Sequence, residues 1–187
     1  NGSFAAAVRL HTLPLLQDCQ IPSIAVADVD ADGRTDLALL TCHGTLTVLR
    51  RNAEEITRRA GREIRVVRAA VRDLEKARAL AGDLPLTTNP FDVVDDPEID
   101  IVVELIGGLE PAHELVMQAI AHGKHVVTAN KHLVAKYGNE IFAAAQAKGV
   151  MVAFEAAVAG GIPIIKALRE GLTANRIEWL AGIINGT

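Results

Sequence analysis

The sequence predicts an α/β protein with a doubly wound parallel sheet, preceded by a short β segment of another type. Apolar, β-branched runs of strand length alternate with helical stretches of about ten residues, as in right-handed βαβ units. Glycines directly follow several helical stretches, where helices commonly stop. The runs 126–128 and 151–158 end in polar or glycine-rich residues, which is typical of buried parallel strands that open onto a ligand site.

Apolar spacing and capping residues define the elements of the first half of this sheet. Gly61 and Gly82 follow two of the helices, and Asp73 stands where a helix cap is expected. In chain order, the expected elements are helix Leu46–Ala60, strand Ile64–Val71, helix Asp73–Leu80, a short helical piece opened by Asn89-Pro90, and strand Ile99–Ile106.

The second half repeats the alternation. Pro111 lies in the first turn of a helix that stops at Gly123, and Gly149 closes the next one. The expected elements are helix Pro111–His122, strand Val126–Thr128, helix Asn139–Lys148, strand Met151–Val158, a helix from Pro163 to Gly171, and strand Ile177–Ile184. This order indicates a Rossmann-like, dinucleotide-binding architecture.

Composition supports a folded core and gives no sign of a nucleic-acid or membrane partner. The chain has 187 residues, 50% of them hydrophobic, and a mean hydropathy of +0.24, which is ample for a buried core. A net charge of −4 and a pI near 5.9 supply no basic stripe. The longest apolar region, Val150–Leu168, is interrupted by charged residues, glycines and a proline, so it is not a membrane span.

Three further features bear on location and completeness. Cys19 and Cys42 could pair or stay free, and two cysteines are too few to indicate an oxidising compartment. No leader with a positive charge and an apolar centre is visible, so a cytoplasmic location is expected. The chain starts at Asn1 and stops at Thr187 just after an apolar stretch, which suggests a piece of a longer protein.

The first 43 residues carry a separate motif. Asp28, Asp30, Asp32 and Asp36 surround Gly33 in the pattern D-x-D-x-D-G-x-x-D. Alternating carboxylates around a tight turn bring hard oxygen ligands together, which suits calcium. An acidic hairpin turn is the alternative, since Asp-Gly between apolar runs is a turn signal by itself.

This motif and the apolar run behind it resemble a single repeat of the FG-GAP or VCBS type, found in β-propellers. The resemblance implies a β segment over residues 1–43 that binds calcium through the four aspartates and the backbone carbonyl of Arg34. One such repeat cannot bury its own sheet face, because blades need neighbours. A fragment of a calcium-binding module is therefore expected there.

Two motifs in the second half carry a family resemblance. Val126-Val127 runs into Thr128-Ala129-Asn130-Lys131, and Phe154-Glu155 leads to Gly160-Gly161-Ile162-Pro163. Together they resemble the homoserine dehydrogenase family, and the likeness extends over residues 44–187. It implies an NAD(P)-binding domain of Rossmann-like fold that acts on a small-molecule substrate, within a parent enzyme that forms a homo-oligomer.

The resemblance implies that Lys131 is catalytic and lies between cofactor and substrate. A cation there could hold the substrate hydroxyl or carboxylate and favour the alkoxide as hydride leaves; a surface lysine in a strand-to-helix loop is the alternative. Cofactor contacts are implied for Lys131 and for Arg72, Gly107, Gly108, Thr128 and Asn130. An arginine after the second strand slightly favours NADP over NAD, whereas the two glycines could form a plain turn.

The resemblance also implies a sodium ion and a substrate contact. The sodium ligands would be the Glu155 carboxylate and backbone carbonyls at Val158, Gly160 and Ile162, a donor set that suits a hard, weakly charged ion. The alternative is that Glu155 only caps or salt-bridges the turn. Gly186 and Thr187 match a segment that contributes to the substrate pocket of the family.

The expected phosphate loop departs from the family pattern. A G-x-G-x-x-G loop should precede the first helix, yet Thr41-Cys42-His43-Gly44 supplies one glycine. Leu37–Leu40 could stand in as the first strand. We infer a chimera or a mis-joined gene product in which residues 1–43 form one unit and residues 44–187 another; an inserted segment is the alternative.

The implied reaction is the reversible NAD(P)-dependent interconversion of L-homoserine and L-aspartate 4-semialdehyde, a step toward threonine, methionine and isoleucine. The family's substrate domain follows the Asn-Gly-Thr strand, where this chain stops, so the reaction is expected to be incomplete on this chain alone. The competing hypothesis is a non-enzymatic calcium-binding module built on Asp28–Asp36. Flanking sequence would discriminate between them.

Overall fold

A six-stranded parallel sheet organises the protein. The structure, a computed structural model, describes residues 6–8, 24–26, 34–40, 49 and 52–182, the first three segments by their backbone pairing. The strands are β1 (Ala6–Val8), β2 (Ile24–Val26), β3 (Arg34–Leu40), β4 (Glu63–Ala70), β5 (Leu86–Thr87), β6 (Ile101–Glu104), β7 (His125–Thr128) and β8 (Val152–Ala153). β1 and β2 form a separate antiparallel pair.

Helices connect the strands and lie on both faces of the sheet. They are α1 (Ala53–Ala60), α2 (Leu74–Ala81), α3 (Phe91–Val94), α4 (Ala112–Ala121), α5 (Lys131–Lys148) and α6 (Ile164–Lys166). Two 3₁₀ turns, Glu155–Ala157 and Ala159–Gly161, precede α6, and a π turn, Ala167–Gly171, follows it. No helix in the described part of the chain is both long and apolar enough to cross a bilayer.

The strand order is that of the doubly wound dinucleotide fold. It runs β5-β4-β3-β6-β7-β8, with every pair parallel, which is the order 3-2-1-4-5-6 of two mononucleotide-binding halves. The parallel sheet predicted from the sequence is confirmed. So is the parallel pairing of the runs at 101–106 and 126–128.

The N-terminal segment contributes the central strand of this sheet. β3 pairs in parallel with β4 on one side and with β6 on the other. Leu37–Leu40 therefore serve as the first strand, as the sequence allowed. A parallel central strand differs from the antiparallel blade strand that the propeller-repeat resemblance implies, so no propeller-type strand is found at 34–40.

Helix α5 begins earlier than its sequence pattern suggests. It starts at Lys131, not at Asn139, because the Asn130 side chain accepts a hydrogen bond from the Leu133 amide at 3.1 Å and caps the helix. Gly138 is a buried residue within this helix. A Cβ there would lie 3.3 Å from the Phe142 ring, so glycine permits close packing inside the helix.

The C-terminal part also differs from its pattern. The strand expected over residues 151–158 is shortened to β8, because the chain turns into 3₁₀ geometry at Glu155. The strand expected at 177–184 is wrong as far as residue 182, where the described chain has no regular structure. Trp179 and Leu180 are exposed there, so apolar composition alone was misleading.

The core consists of two layers that the sheet separates. Val102, Val126 and Val152 pack with α3, α4 and α5 on one face, whereas Ile101 and Val127 pack with α1 and α2 on the other. Successive strand residues point to opposite faces, and both faces are covered by helices. This double coverage explains why the strands are apolar throughout rather than alternating.

Removing a side chain from the larger core layer is expected to destabilise the protein strongly. Leu115 of α4 is 0% exposed, so Leu115→Ala should lower the free energy of unfolding by about 2–5 kcal/mol. Urea denaturation measures the change. Leu180→Ala is the matched control, because Leu180 is 68% exposed and its truncation should cost less than about 0.5 kcal/mol. Equal losses would contradict this core.

The amino edge of the sheet contains a buried lysine and a partly buried histidine. Lys124 Nζ donates to the carbonyl oxygens of Asp96 at 2.5 Å and Ile99 at 2.7 Å, and desolvation lowers its pKa although three nearby aspartates raise it. His125 Nδ1 accepts a hydrogen bond from the Met151 amide at 2.9 Å. Burial lowers the pKa of His125, while Asp100 opposes the shift.

His125 is expected to make stability pH-dependent. Its folded pKa lies below its unfolded value of about 6.5, so the unfolded chain takes up the proton first. Its contribution is fully present above about pH 6.5 and is lost as the pH falls toward the folded pKa. Urea unfolding between about pH 5.5 and pH 8 should show this loss. His125→Asn keeps a hydrogen-bond acceptor that does not titrate in this range. If the free energy of unfolding changed with pH in the same way in both proteins, His125 would not be the cause of the loss.

Candidate functional site

The candidate site lies at the carboxyl edge of the sheet, where parallel strands place their following loops together. β6 ends at Glu104 and β7 ends at Thr128, and these two residues are paired in the sheet register. The loop after β6 contains Gly107 and Gly108, and the loop after β7 leads through Asn130 to Lys131. The structure therefore brings these predicted residues to one edge.

The backbone conformation of the first loop requires its two glycines. Gly107 has φ +77° and Gly108 φ +74°, the left-handed region that side chains disfavour. Both are exposed, and no atom lies within 4 Å of a Cβ built on either. The loop therefore presents bare backbone to open space, which is what a ligand that approaches main chain requires.

A buried carboxylate lies beneath this loop. Glu104 is 0% exposed, and its Oε1 accepts hydrogen bonds from the Ile106 amide at 2.7 Å and the Gly107 amide at 3.2 Å. Its Oε2 accepts from the Thr128 hydroxyl at 2.6 Å. Sequence reasoning missed Glu104; the available signal was a charged residue ending an apolar strand.

Asn130 ties the second loop to the first. Its amide nitrogen Nδ2 donates to the Gly108 carbonyl at 2.7 Å, while its side-chain oxygen caps α5. Its backbone amide donates to the Thr128 hydroxyl at 3.0 Å. Lys131 follows as the first residue of α5, with an exposed side chain. A cation so placed can reach a bound ligand at this edge.

Arg72 lies at the same edge, just beyond the end of β4. Its side chain is exposed, while the neighbouring Asp73 caps α2 by accepting from the Lys76 amide at 3.1 Å. That hydrogen bond is the main cause of the lowered pKa of Asp73. Asp73 is therefore used as a cap, as predicted, whereas a cofactor contact of Arg72 stays a prediction.

Glu155 has a structural role in this protein. Its two carboxylate oxygens accept from the Ile165 and Lys166 amides, each at 2.9 Å, at the start of the C-terminal helical segment. This is the capping alternative to a sodium ligand. The predicted ligand positions Val158, Gly160 and Ile162 follow in the adjoining turns. A sodium ion there stays a prediction.

Several predicted residues fall outside the described part of the chain. These are the calcium ligands Asp28, Asp30 and Asp32 and the substrate residues Gly186 and Thr187. Arg34 and Asp36, the other two calcium positions, belong to β3. Among the residues that the structure describes, no group of three or more acidic, histidine or cysteine side chains is arranged to hold a metal ion.

Comparison with known proteins gives one consistent family. The model of the homoserine dehydrogenase NAD-binding domain matches residues 43–155. The homoserine dehydrogenase of Pseudomonas aeruginosa is 67% identical over 144 residues, covering 77% of this chain and 33% of the relative. That of Neisseria gonorrhoeae is 60% identical over 146 residues, with the same coverage of 77% and 33%. The chain thus spans about a third of these relatives.

Solved structures agree in fold. The homoserine dehydrogenase from Thiobacillus denitrificans superposes with a TM-score of 0.75 at 88% identity, covering 82% of this chain and 36% of that one. A hyperthermophilic archaeal homoserine dehydrogenase in complex with NADPH gives a TM-score of 0.63 at 25% identity, covering 75% and 50%. These matches give no support to the FG-GAP or VCBS resemblance, and the chain belongs to the homoserine dehydrogenase family, whose NAD-binding domain it carries.

Proposed function

We propose that this chain supplies the NAD(P)-binding half of an enzyme that interconverts L-homoserine and L-aspartate 4-semialdehyde. The observation that carries the proposal is the carboxyl edge of the sheet, where the Gly107-Gly108 loop and the Thr128–Lys131 loop are hydrogen-bonded to each other. The family membership supplies the reaction. The substrate domain lies in the two thirds of the relatives that this chain does not span.

The residues at this edge fit a dinucleotide. Open space above Gly107 and Gly108 leaves room for a flat ring against the main chain, and Arg72 offers a cation to the ribose end. NADP is favoured over NAD because Asp73, the neighbouring acid, is occupied as a helix cap. When bound, the nicotinamide supplies the hydride acceptor or donor.

Lys131 is proposed to act on the substrate. Its exposed ammonium at the start of α5 is suited to hold the substrate hydroxyl or carboxylate. Positive charge there stabilises the alkoxide character of the substrate oxygen, which develops as the hydroxyl proton passes to a base of the substrate domain and is consumed when the carbon gives up hydride and becomes the aldehyde. Thr128 and Asn130 fix the backbone from which Lys131 projects. The chain thus contributes orientation and charge, while the other residues that bind homoserine belong to the substrate domain.

A graft into a relative tests the proposal. The matching 144-residue segment of the Pseudomonas aeruginosa enzyme is replaced by the aligned residues of this chain, so that the recipient supplies the remainder. The grafted enzyme should oxidise L-homoserine with NADP⁺, whereas the recipient with the segment deleted should not. A folded graft that binds NADPH but leaves homoserine unchanged would contradict the proposal.

Two further properties are proposed for the parent enzyme. A cytoplasmic location follows from the biosynthetic role, and a homo-oligomer follows from the family resemblance. Size-exclusion chromatography with light scattering on the grafted enzyme gives its oligomeric state, and a monomer would contradict the second proposal.

A further inference from the structure

The two loops of the site are joined by polar groups that are almost entirely buried. Each of these residues is less than a tenth exposed: Glu104, Thr128 and Asn130. Their hydrogen bonds connect the loop that follows β6 with the loop that follows β7. The Asn130 amide donates to the Thr128 hydroxyl, which in turn donates to Glu104. Residues from two separate parts of the sequence therefore form one connected chain of hydrogen bonds.

A carboxylate is an unusual choice for this position. The preceding residues of β6 are apolar and fully buried, so packing alone would favour another aliphatic residue. In the described residues no basic side chain pairs with Glu104; its hydrogen-bond partners are two backbone amides and one hydroxyl. A buried charge is retained only when such donors satisfy it.

The two oxygens of Glu104 serve different loops. Oε1 accepts from the Ile106 and Gly107 amides, which fixes the loop that turns at positive φ. Oε2 accepts from Thr128, and Thr128 fixes the residue before Lys131. Because each oxygen binds a different loop, one side chain sets the geometry of both loops.

We propose that Glu104 is a positioning residue that holds the glycine loop and the Thr128–Lys131 loop as one rigid unit for the nicotinamide half of the cofactor. The proposal rests on the proposed cofactor-binding function. Glu104 itself is buried below the loop backbone and acts through Thr128 and the two amides. Such preorganisation improves binding because less loop ordering is required when the ligand arrives.

Amide hydrogen exchange on the full chain tests the coupling without any ligand. Glu104→Gln retains the size of the side chain and an oxygen for the Ile106 and Gly107 amides, but it places an NH₂ group against the Thr128 hydroxyl. The Asn130 amide, which lies on the other loop, should then exchange at least about tenfold faster. A change confined to Ile106 and Gly107 would overturn the proposal.

A pair of variants at Thr128 tests the same link from the other side. Thr128→Val keeps the shape but removes the hydroxyl, and it should speed exchange of the Asn130 and Gly107 amides. Thr128→Ser restores the hydroxyl and should return both rates to near the wild-type values. Identical exchange rates in Thr128→Val and Thr128→Ser would overturn the proposal, because that result is expected if Thr128 only fills space.

NADPH titration followed by NMR connects the network to the cofactor and also registers weak binding. Glu104→Gln and Thr128→Val should each weaken NADPH at least about tenfold, and Thr128→Ser less than about twofold, with urea midpoints measured alongside. Unchanged affinity in Thr128→Val would overturn the proposal. If the wild-type chain binds NADPH too weakly to titrate, as its single loop glycine predicts, the same variants are titrated in the grafted enzyme, where unchanged affinity in Thr128→Val would likewise overturn the proposal.

Discussion

Lys131→Ala in the grafted enzyme is expected to lower kcat/KM for L-homoserine by about a hundredfold to a thousandfold, the usual effect of losing a group that stabilises developing oxyanion charge. Lys131 is exposed at the start of α5, at the edge where the two loops meet. Initial rates of NADP⁺ reduction give the change, and kcat should fall more than KM rises, since negative charge on the substrate oxygen develops only during the reaction, as the hydroxyl loses its proton.

Lys136→Ala supplies the matched control for this prediction. It removes an exposed lysine from the same helix, near the Tyr137 ring rather than at the loop, and activity should stay within about twofold. Lys131→Arg keeps the charge but alters its geometry, so it should retain only part of the rate. Equal activity of Lys131→Ala and Lys136→Ala would mean that Lys131 is an ordinary surface residue.

Weak cofactor binding by the chain as it stands is the second large effect that we expect. Between Leu40 and Leu49, the connection that should hold the phosphate loop has Gly44 as its single glycine. The pyrophosphate normally rests on bare glycine backbone at the start of the first helix. Loss of two charge-assisted hydrogen bonds, at about 1.5–3 kcal/mol each, weakens binding roughly a hundredfold or more.

Replacing the residues before Thr45 by a strand that ends in G-x-G-x-x-G should restore binding. Calorimetry with NADPH and NADH measures both proteins, and the same replacement strand followed by a loop in which the three glycines are alanines is the matched control. Only the glycine version should gain about a hundredfold. Low-micromolar binding by the unchanged chain would show that its own loop forms a competent phosphate site.

Local signals predicted most of the sheet because they agree with the tertiary fold. Glycine stops, the Asp73 cap and apolar strands gave β4, α2 and β7 to within about two residues. Asn130 is a cap of the same kind, but its signal was masked because the motif around it was interpreted as ligand-binding chemistry. The same side chain caps α5 and bridges to Gly108, while its contact with the cofactor stays a prediction.

Other features depend on contacts that no local pattern contains. Glu104 ends a strand, and although its two amide donors, Ile106 and Gly107, are close in sequence, its hydroxyl donor, Thr128, comes from the neighbouring strand. The expected strand after Met151 is cut short because Glu155 turns to cap a later helical segment. In each case a distant residue decides the conformation.

The central position of β3 has a practical consequence for dividing this chain. A sequence-based boundary at Gly44 would remove Arg34–Leu40, which pair with β4 and β6 on either side. Two interior strands would then become unprotected edges, each with a row of free backbone donors and acceptors. Edges of that kind recruit strands from other molecules, so a shortened chain beginning at Gly44 should self-associate into aggregates unless a replacement strand fills the gap.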